Sequence, residues 1–274
     1  MEVRLADKDL DFVIRTVVTR RTDYDHIKEI VRDKPDLIST MLDDPRLFQR
    51  VAGEEEVFLK ISPYLFFEIL LRQARRDLQT RTYTYEKIGL ATEVPVFDAQ
   101  KVSGFLKDDG LRAYLAGMLS SFTKTQSTVV YFKSGKKYYK RRYSDLDVDD
   151  LKELSALVEE EEEEEKFLLY RRIADVCLFL TGIFPEAIEQ GMRYPASGRA
   201  HPPAVAGKKR RSIDDYIQEG QEFYRLAAAC PSSAWAAAAG ILNCLADNFE
   251  HARKPLLYIA RRYLSFQKHQ LFGY

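Results

Sequence analysis

"SPYLFFEILLRQARRDL", residues 62 to 78, indicates a mainly helical fold because it combines a helix start with a long amphipathic pattern. Ser62 is suited to cap the helix and Pro63 to occupy its first turn. The apolar positions recur at helical spacing and predict one buried stripe, formed by Phe67, Leu70, Leu71, Ala74 and Leu78. The opposite face is basic, and we expect it to face solvent, with phosphate contact as the alternative; its residues are Arg72, Arg75 and Arg76.

Helical patterns extend over most of the chain on both sides of this segment. Apolar and charged residues alternate at helical spacing over residues 8 to 52, where Pro35 and Pro45 suit the first turns of two short helices. Further helices are predicted over residues 98–107, 110–124 and 148–184, and three more over 212–270. Residues 79–97 are rich in Thr, Tyr and Val without helical periodicity, which favours strands. The sequence therefore predicts a mainly α fold with a small β-hairpin or sheet element around residues 79–143.

The predicted domain organisation follows from one break in periodicity. Residues 190–211 carry Pro, Gly, Ala and basic groups without helical spacing, which is typical of a flexible basic linker or loop. Residues 1–189 then form a helical domain with an inserted β-hairpin. Residues 212–274 form a C-terminal helical bundle, either separate or packed on the first domain. Within the first domain, the glutamate run Glu159–Glu165 interrupts the apolar spacing, so the helix leaves the core or a new helix begins there.

Composition limits the class of partner and the compartment. Lys plus Arg and Asp plus Glu both total 42, so a charged partner must be recognised by a local patch. The cysteines lie in or beside apolar helical sequence without CxxC spacing, which favours a cytoplasmic location; they are Cys177, Cys230 and Cys244. The longest apolar runs fall short of the roughly 20 residues needed to cross a bilayer, so we expect no membrane partner.

"YFKSGKKYYKRRYSD", residues 131 to 145, is the strongest candidate for a binding site. We predict a tight hairpin with Ser134 and Gly135 at its turn. That register places Lys133 opposite Lys136, and because like charges across a sheet repel, a nearby anion would stabilise the pair. Interleaved basic and aromatic side chains suit nucleic acid or another polyanion, bound through Lys133, Lys136, Lys137, Tyr138, Tyr139, Lys140, Arg141 and Arg142. The order helix, helix, hairpin is also that of a winged helix.

Three interpretations of this basic segment stay open. Its charges are solvated and have no role, or they are neutralised by Glu159–Glu165 within one chain or between subunits, or they bind nucleic acid. The glutamates repel one another along a helix and would themselves be stabilised by a cation. Neutralisation and binding are also compatible as two states of one switch.

Candidates for catalysis are few. Arg21 and His26 are spaced R-x4-H, and a second pair, Arg262 and His269, is spaced R-x6-H. This short pattern is similar to that of the helical HEPN ribonucleases, in which Arg and His act on the scissile phosphate and its neighbouring hydroxyl. The resemblance covers these two pairs alone, and it implies a metal-independent ribonuclease as one alternative function.

The acidic segment after the hairpin has the spacing of a calcium loop at Asp145, Asp147 and Asp149. However, Asp150 stands where that loop requires glycine, and Ala156 stands at the bidentate glutamate position. Acids at the start of a helix, favoured by its dipole, account for these residues. We therefore expect neither a metal site nor a cofactor.

The preferred interpretation is a non-enzymatic intracellular interaction or regulatory protein that binds nucleic acid or another polyanion through the basic hairpin. One alternative is a helical scaffold whose C-terminal helices, residues 212–274, hold a protein partner. The other is the metal-independent ribonuclease. The sequence does not predict the oligomeric state.

Overall fold

The computed structural model describes residues 5–54, 56–88, 92–124, 127–134, 137–158, 163–189, 211–230, 236–265 and 267–272. These residues form fifteen helices and two antiparallel two-stranded sheets, which confirms the prediction of a mainly α fold with small β elements. The chain divides into two compact units, Met1–Ser121 (unit 1) and Phe122–Tyr274 (unit 2).

The described residues of unit 1 form six helices, a β-hairpin and two further helices. The first six helices are α1 Asp7–Val17, α2 Tyr24–Arg32, α3 Pro35–Leu42, α4 Pro45–Gly53, α5 Val57–Lys60 and α6 Pro63–Gln79. The hairpin pairs β1 Thr84–Ile88 with β2 Thr92–Val96. The last two helices are α7 Ala99–Phe105 and α8 Asp109–Ser121.

The helix predicted from residues 62 to 78 is α6, which packs against α4, α7 and α8. The Ser62 hydroxyl accepts a hydrogen bond from the Leu65 backbone N–H at 3.1 Å, and Pro63 is the first helical residue. All residues of the predicted apolar stripe are buried, so the capping and periodicity predictions are both confirmed: Phe67, Leu70, Leu71, Ala74 and Leu78.

Unit 2 begins with a β-hairpin, and its remaining described elements are helices. The strands are β3 Ser127–Ser134 and β4 Lys137–Ser144. The helices are α9 Val148–Ser155, α10 Glu163–Ile183, α11 Pro185–Glu189, α12 Ile213–Ala228, α13 Ala236–Asp247, α14 Phe249–Arg262 and α15 Lys268–Leu271. The hairpin and the two helices that precede it, which together have the order of a winged helix, belong to different units.

The core of unit 2 forms around α10, which packs against α9, α12 and α14. Gly220 of α12 allows a close approach, since a Cβ there would lie 2.5 Å from the Phe249 ring and 2.9 Å from Cys177 Cβ. Cys177 is fully buried, and burial raises the pKa of its thiol well above the ordinary value. α10 begins at Glu163, so a new helix does begin within the glutamate run.

Of the predicted linker, residues 190–210 lie outside the described residues, and the linker stays a prediction. Its last residue, Arg211, forms ion pairs with Asp149 at 2.7 Å and Glu219 at 3.4 Å. The helices on either side of the segment, α10 and α12, pack against each other within unit 2.

Candidate polyanion-binding hairpin

The end of β4 is hydrogen-bonded to α9. Tyr143 is buried, and its hydroxyl donates to Glu153 Oε1 of α9 at 3.3 Å. The Ser144 backbone N–H donates to Asp150 Oδ2 at 2.9 Å. A two-stranded hairpin alone is marginally stable in water, so these contacts with α9 contribute to its order.

The register of the hairpin differs from the predicted one. Ser134 pairs with Lys137, which leaves Gly135 and Lys136 between the paired strands. Lys133 is therefore opposite Tyr138, and the predicted repulsion between Lys133 and Lys136 across the sheet is wrong. The displacement along β4 is two residues, so each residue keeps its face of the sheet and changes only its partner.

One face of the hairpin combines exposed cations with an exposed aromatic ring. Tyr131 is opposite Lys140, its side chain is 68% exposed, and the Lys140 ammonium lies 6.0 Å from the ring centroid. Arg142, two residues further along β4, is also exposed and is opposite Val129. Residues two apart on a strand share a face, so these side chains form one surface, the Tyr131 face, defined by Tyr131, Lys140 and Arg142.

The structure thus describes two of the eight predicted hairpin residues as exposed cations, Lys140 and Arg142. The predicted Lys136 lies outside the described residues. For the other five the structure describes the strand backbone and its pairing; they are Lys133, Lys137, Tyr138, Tyr139 and Arg141. Tyr131 is not among the predicted site residues, and its pairing with Lys140 follows only from the observed register.

The glutamate run is described only from Glu163 onward. Glu163–Glu165 form the exposed first turn of α10, where the helix dipole favours acidic side chains. In the described part of unit 2, Lys140 and Arg142 form no ion pair, whereas Lys152, Arg172 and Arg211 do. Neutralisation of the hairpin by the remaining glutamates stays a prediction.

The basic face predicted for α6 has a different environment. Arg72 is 2% exposed, so the expectation that its side chain faces solvent is wrong. Its Nε lies 2.8 Å from Glu68 Oε1 and its Nη1 lies 2.9 Å from Asp43 Oδ1. Glu68 is 1% exposed and also faces Arg112, whose Nε lies 3.6 Å from the same carboxylate oxygen. Both arginines of this network, which joins the buried Glu68, Arg72 and Arg112 to the half-exposed Asp43, are thus paired with carboxylates.

The catalytic candidates lie in separate units. His26 of α2 is exposed and lies 3.9 Å from the Glu29 carboxylate, and Arg21 is exposed in the segment before that helix. His269 of α15 packs against Phe184 at a ring-centroid distance of 5.5 Å, and Arg262 is exposed at the end of α14. Within the described residues, neither arginine forms a hydrogen bond or ion pair with the histidine to which the R-x4-H or R-x6-H spacing relates it.

The acids with calcium-loop spacing have other partners. Asp147 caps α9 and accepts from the backbone N–H groups of Asp149 and Asp150. Asp145 pairs with Arg172 at 2.8 Å. Asp147 thus lies at the start of α9, where an acid was expected, and the explanation by the helix dipole stays a prediction. Among the residues that the structure describes, no cluster of three or more His, Cys, Asp or Glu side chains could hold a metal ion.

Among the described residues of the C-terminal helices, one large apolar side chain is exposed. Leu226 of α12 is 40% exposed, and a single exposed leucine is normal for a protein surface. A protein partner at these helices stays a prediction. None of the described helices has the length and apolar character that crossing a bilayer requires.

Comparison of the chain with protein-family models, with curated proteins and with solved structures finds no match. The function is therefore inferred from the side chains themselves.

Proposed function

We propose that this chain is a non-enzymatic cytoplasmic binding protein that holds a polyanion on the Tyr131 face, with single-stranded nucleic acid as the class that fits best. The observation that supports the proposal is the exposed Tyr131 ring with the Lys140 ammonium over it and Arg142 beside it. A cytoplasmic location suits three cysteines that are free thiols.

The chemistry of the two kinds of side chain supports a strand of nucleic acid over a simple anion. Lys140 and Arg142 would neutralise phosphates, a contribution that is independent of base sequence. Tyr131 offers a ring on which a base can stack, and stacking requires a base that is not already paired in a duplex. A polyphosphate would use the cations and leave the ring without a role.

The proposal is tested by the double charge reversal K140E/R142E, with binding of labelled oligo(dT) measured over a series of salt concentrations. We expect the affinity of the wild-type protein to fall as salt rises. Each phosphate neutralised on a single strand contributes roughly 0.7 to the slope of log K against log salt, so loss of two contacts lowers the slope by about 1.4.

The matched control is K8E/R20E, which reverses one exposed lysine and one exposed arginine in unit 1 and so changes the net charge equally. It should bind as the wild-type protein does. Equal loss in both variants would mean that net charge, and not the Tyr131 face, drives binding. Absence of wild-type binding at low salt would refute the proposal.

Two further ligands separate the classes of partner. Polyphosphate that binds as tightly as oligo(dT) would indicate a general polyanion site without base stacking. Oligo(rU) serves as a second single strand, and its cleavage would reveal ribonuclease activity. Cleavage that resists a chelator and is lost in H26A or H269A would favour the metal-independent ribonuclease.

A further inference from the structure

One side chain of unit 2 contacts the residues that flank both ends of the β3–β4 hairpin. The guanidinium of Arg172, on α10, lies over the Phe122 ring at 3.9 Å from its centroid. The same group donates from Nε to the Asp145 backbone carbonyl at 3.0 Å and from Nη2 to Asp145 Oδ2 at 2.8 Å. Phe122 precedes β3 by five residues, and Asp145 directly follows β4.

The ring on which this guanidinium lies belongs to a cluster of packed aromatic side chains. Phe122 is buried and stacks on Phe179 at 4.1 Å with an interplanar angle of 14°. Phe179 in turn meets Phe184 and Phe272 in edge-to-face contacts at 5.6 and 4.9 Å. Arg172 and Phe179 are seven residues apart on α10 and so share one face of that helix. Phe122, five residues before β3, is therefore packed in an aromatic core.

An arginine suits this position better than a lysine. Its planar fork can donate to a carbonyl and a carboxylate while its face stacks on an aromatic ring, and the ammonium of lysine cannot do both. Hydrogen bonds to Glu153 and Asp150 hold the end of β4 on α9. Arg172 also contacts Phe122, which precedes β3.

We infer that Arg172 is a positioning residue for the hairpin, holding its two ends together on α10 so that Tyr131, Lys140 and Arg142 form one ordered surface. The role in binding rests on the function proposed above, whereas the role in ordering the hairpin does not. A site held in its binding geometry loses less conformational entropy when the ligand binds.

The variant R172K tests this role, because it keeps the charge and removes the planar fork. Loss of the forked hydrogen bonds and the stacking should speed backbone amide hydrogen exchange in β3 and β4 by about tenfold, with α12 and α14 unchanged. Binding of oligo(dT) should weaken several-fold, because the Tyr131 face is less ordered before the ligand binds.

The matched control is R171K, the same change at the neighbouring residue, which lies over Phe167 at 5.7 Å and beside Asp175 at 4.0 Å. It should leave exchange in the hairpin unchanged. D145N is a second and milder variant, which removes the carboxylate and keeps the carbonyl acceptor. It should speed amide exchange in the hairpin by less than R172K does. If R172K also speeds exchange in α12 and α14, D145N is the variant that tests the positioning role.

If amide exchange in the hairpin is unchanged in R172K, the positioning role is overturned whatever the binding result. If R172K speeds exchange outside the hairpin as well, unchanged hairpin exchange in D145N has the same consequence. Faster exchange with full oligo(dT) affinity overturns its part in binding. If the wild-type protein binds no oligo(dT), the proposed function fails, and the exchange measurement still tests the ordering of the hairpin.

Discussion

The two basic clusters of this protein, one on α6 in unit 1 and one on the β3–β4 hairpin in unit 2, look alike in sequence and differ in environment. Arg72 is 2% exposed and lies against Glu68 and Asp43. Lys140 and Arg142 are exposed and lie opposite Tyr131 and Val129. A run of basic residues therefore leaves cations available to a ligand only where neighbouring elements do not already supply its anions.

Buried charge explains why the first cluster is structural. Burial acts to lower the pKa of the Arg72 guanidinium, but attraction by the Glu68 and Asp43 carboxylates outweighs it, and the pKa lies above its ordinary value. Ser39 adds a backbone carbonyl at 3.1 Å and a hydroxyl at 3.2 Å. Such a group is held in its charged form by its partners, so removal of one partner leaves an unpaired buried charge.

The largest effect is expected from Glu68→Gln, which breaks the buried network while keeping the shape of the side chain. Two buried arginines, Arg72 and Arg112, would lose the carboxylate that they share. Removal of one partner from a buried ion pair typically destabilises a protein by about 3 to 5 kcal/mol. Urea unfolding followed by circular dichroism should show this loss.

Glu29→Gln is the control for this variant, because it makes the same change in the same unit on a side chain that is 77% exposed. We expect no measurable change in its urea midpoint. A similar small effect for Glu68→Gln would show that the network is solvated and would remove the contrast between the two clusters. Binding of oligo(dT) by folded Glu68→Gln should match that of the wild-type protein.

A smaller effect, on affinity rather than on stability, is expected from Tyr131→Ala. Stacking of one base on an aromatic ring is worth roughly 1 to 3 kcal/mol, which is about a 5- to 150-fold loss of oligo(dT) affinity. Tyr131→Phe keeps the ring and should bind nearly as the wild-type protein does. Equal affinity of the wild-type protein and both variants would mean that the ring does not contribute and that binding is purely electrostatic. The urea midpoint should be nearly constant across the three proteins.

The helices could be predicted because their signals are local. The Ser62 cap, the proline starts at Pro35 and Pro45, and the apolar stripe of α6 each lie within a few residues of the element that they specify. The hairpin could also be predicted, but its register could not. A two-residue hairpin turn of type I′ favours glycine at its second position, and one of type II′ favours glycine at its first. Turns at Ser134–Gly135 and at Gly135–Lys136 are therefore both compatible with the sequence.

The burial of Arg72 depends on partners that are distant in sequence. Asp43 and Ser39 lie 29 and 33 residues before it, and no local pattern indicates that they approach α6. One signal was available, since Glu68 precedes Arg72 by four residues and such pairs are neighbours on a helix. The Tyr131 face could be predicted in part. The basic segment itself indicates Lys140 and Arg142 as binding residues, whereas the pairing of Tyr131 with Lys140 depends on the register.

The smallest effect is expected at Asp147, a carboxyl group near other carboxylates rather than near arginines. Burial raises the pKa of Asp147 above its ordinary value; the hydrogen bonds from the backbone N–H groups of Asp150 and Asp149 oppose this rise, and the charges of the same two residues add to it. The ionised form is thus less favourable in the folded chain than in the unfolded chain. As pH rises from the unfolded pKa of 3.8 through the raised folded pKa, Asp147 makes a declining contribution to stability.

Asp147→Asn removes this titration and keeps an oxygen that accepts from the same backbone N–H groups, since Asn and Asp are comparable helix caps. We expect the variant to have a slightly higher urea midpoint than the wild-type protein at neutral pH, with the difference vanishing as pH falls below 3.8. Asp147→Ala separates the charge from the cap, because loss of the cap should destabilise the protein by about 0.5 to 2 kcal/mol. If Asp147→Asn is instead less stable at neutral pH, the carboxylate is stabilised by the α9 dipole more than burial opposes it, and Asp147 then resembles Glu68 in depending on a partner of opposite charge.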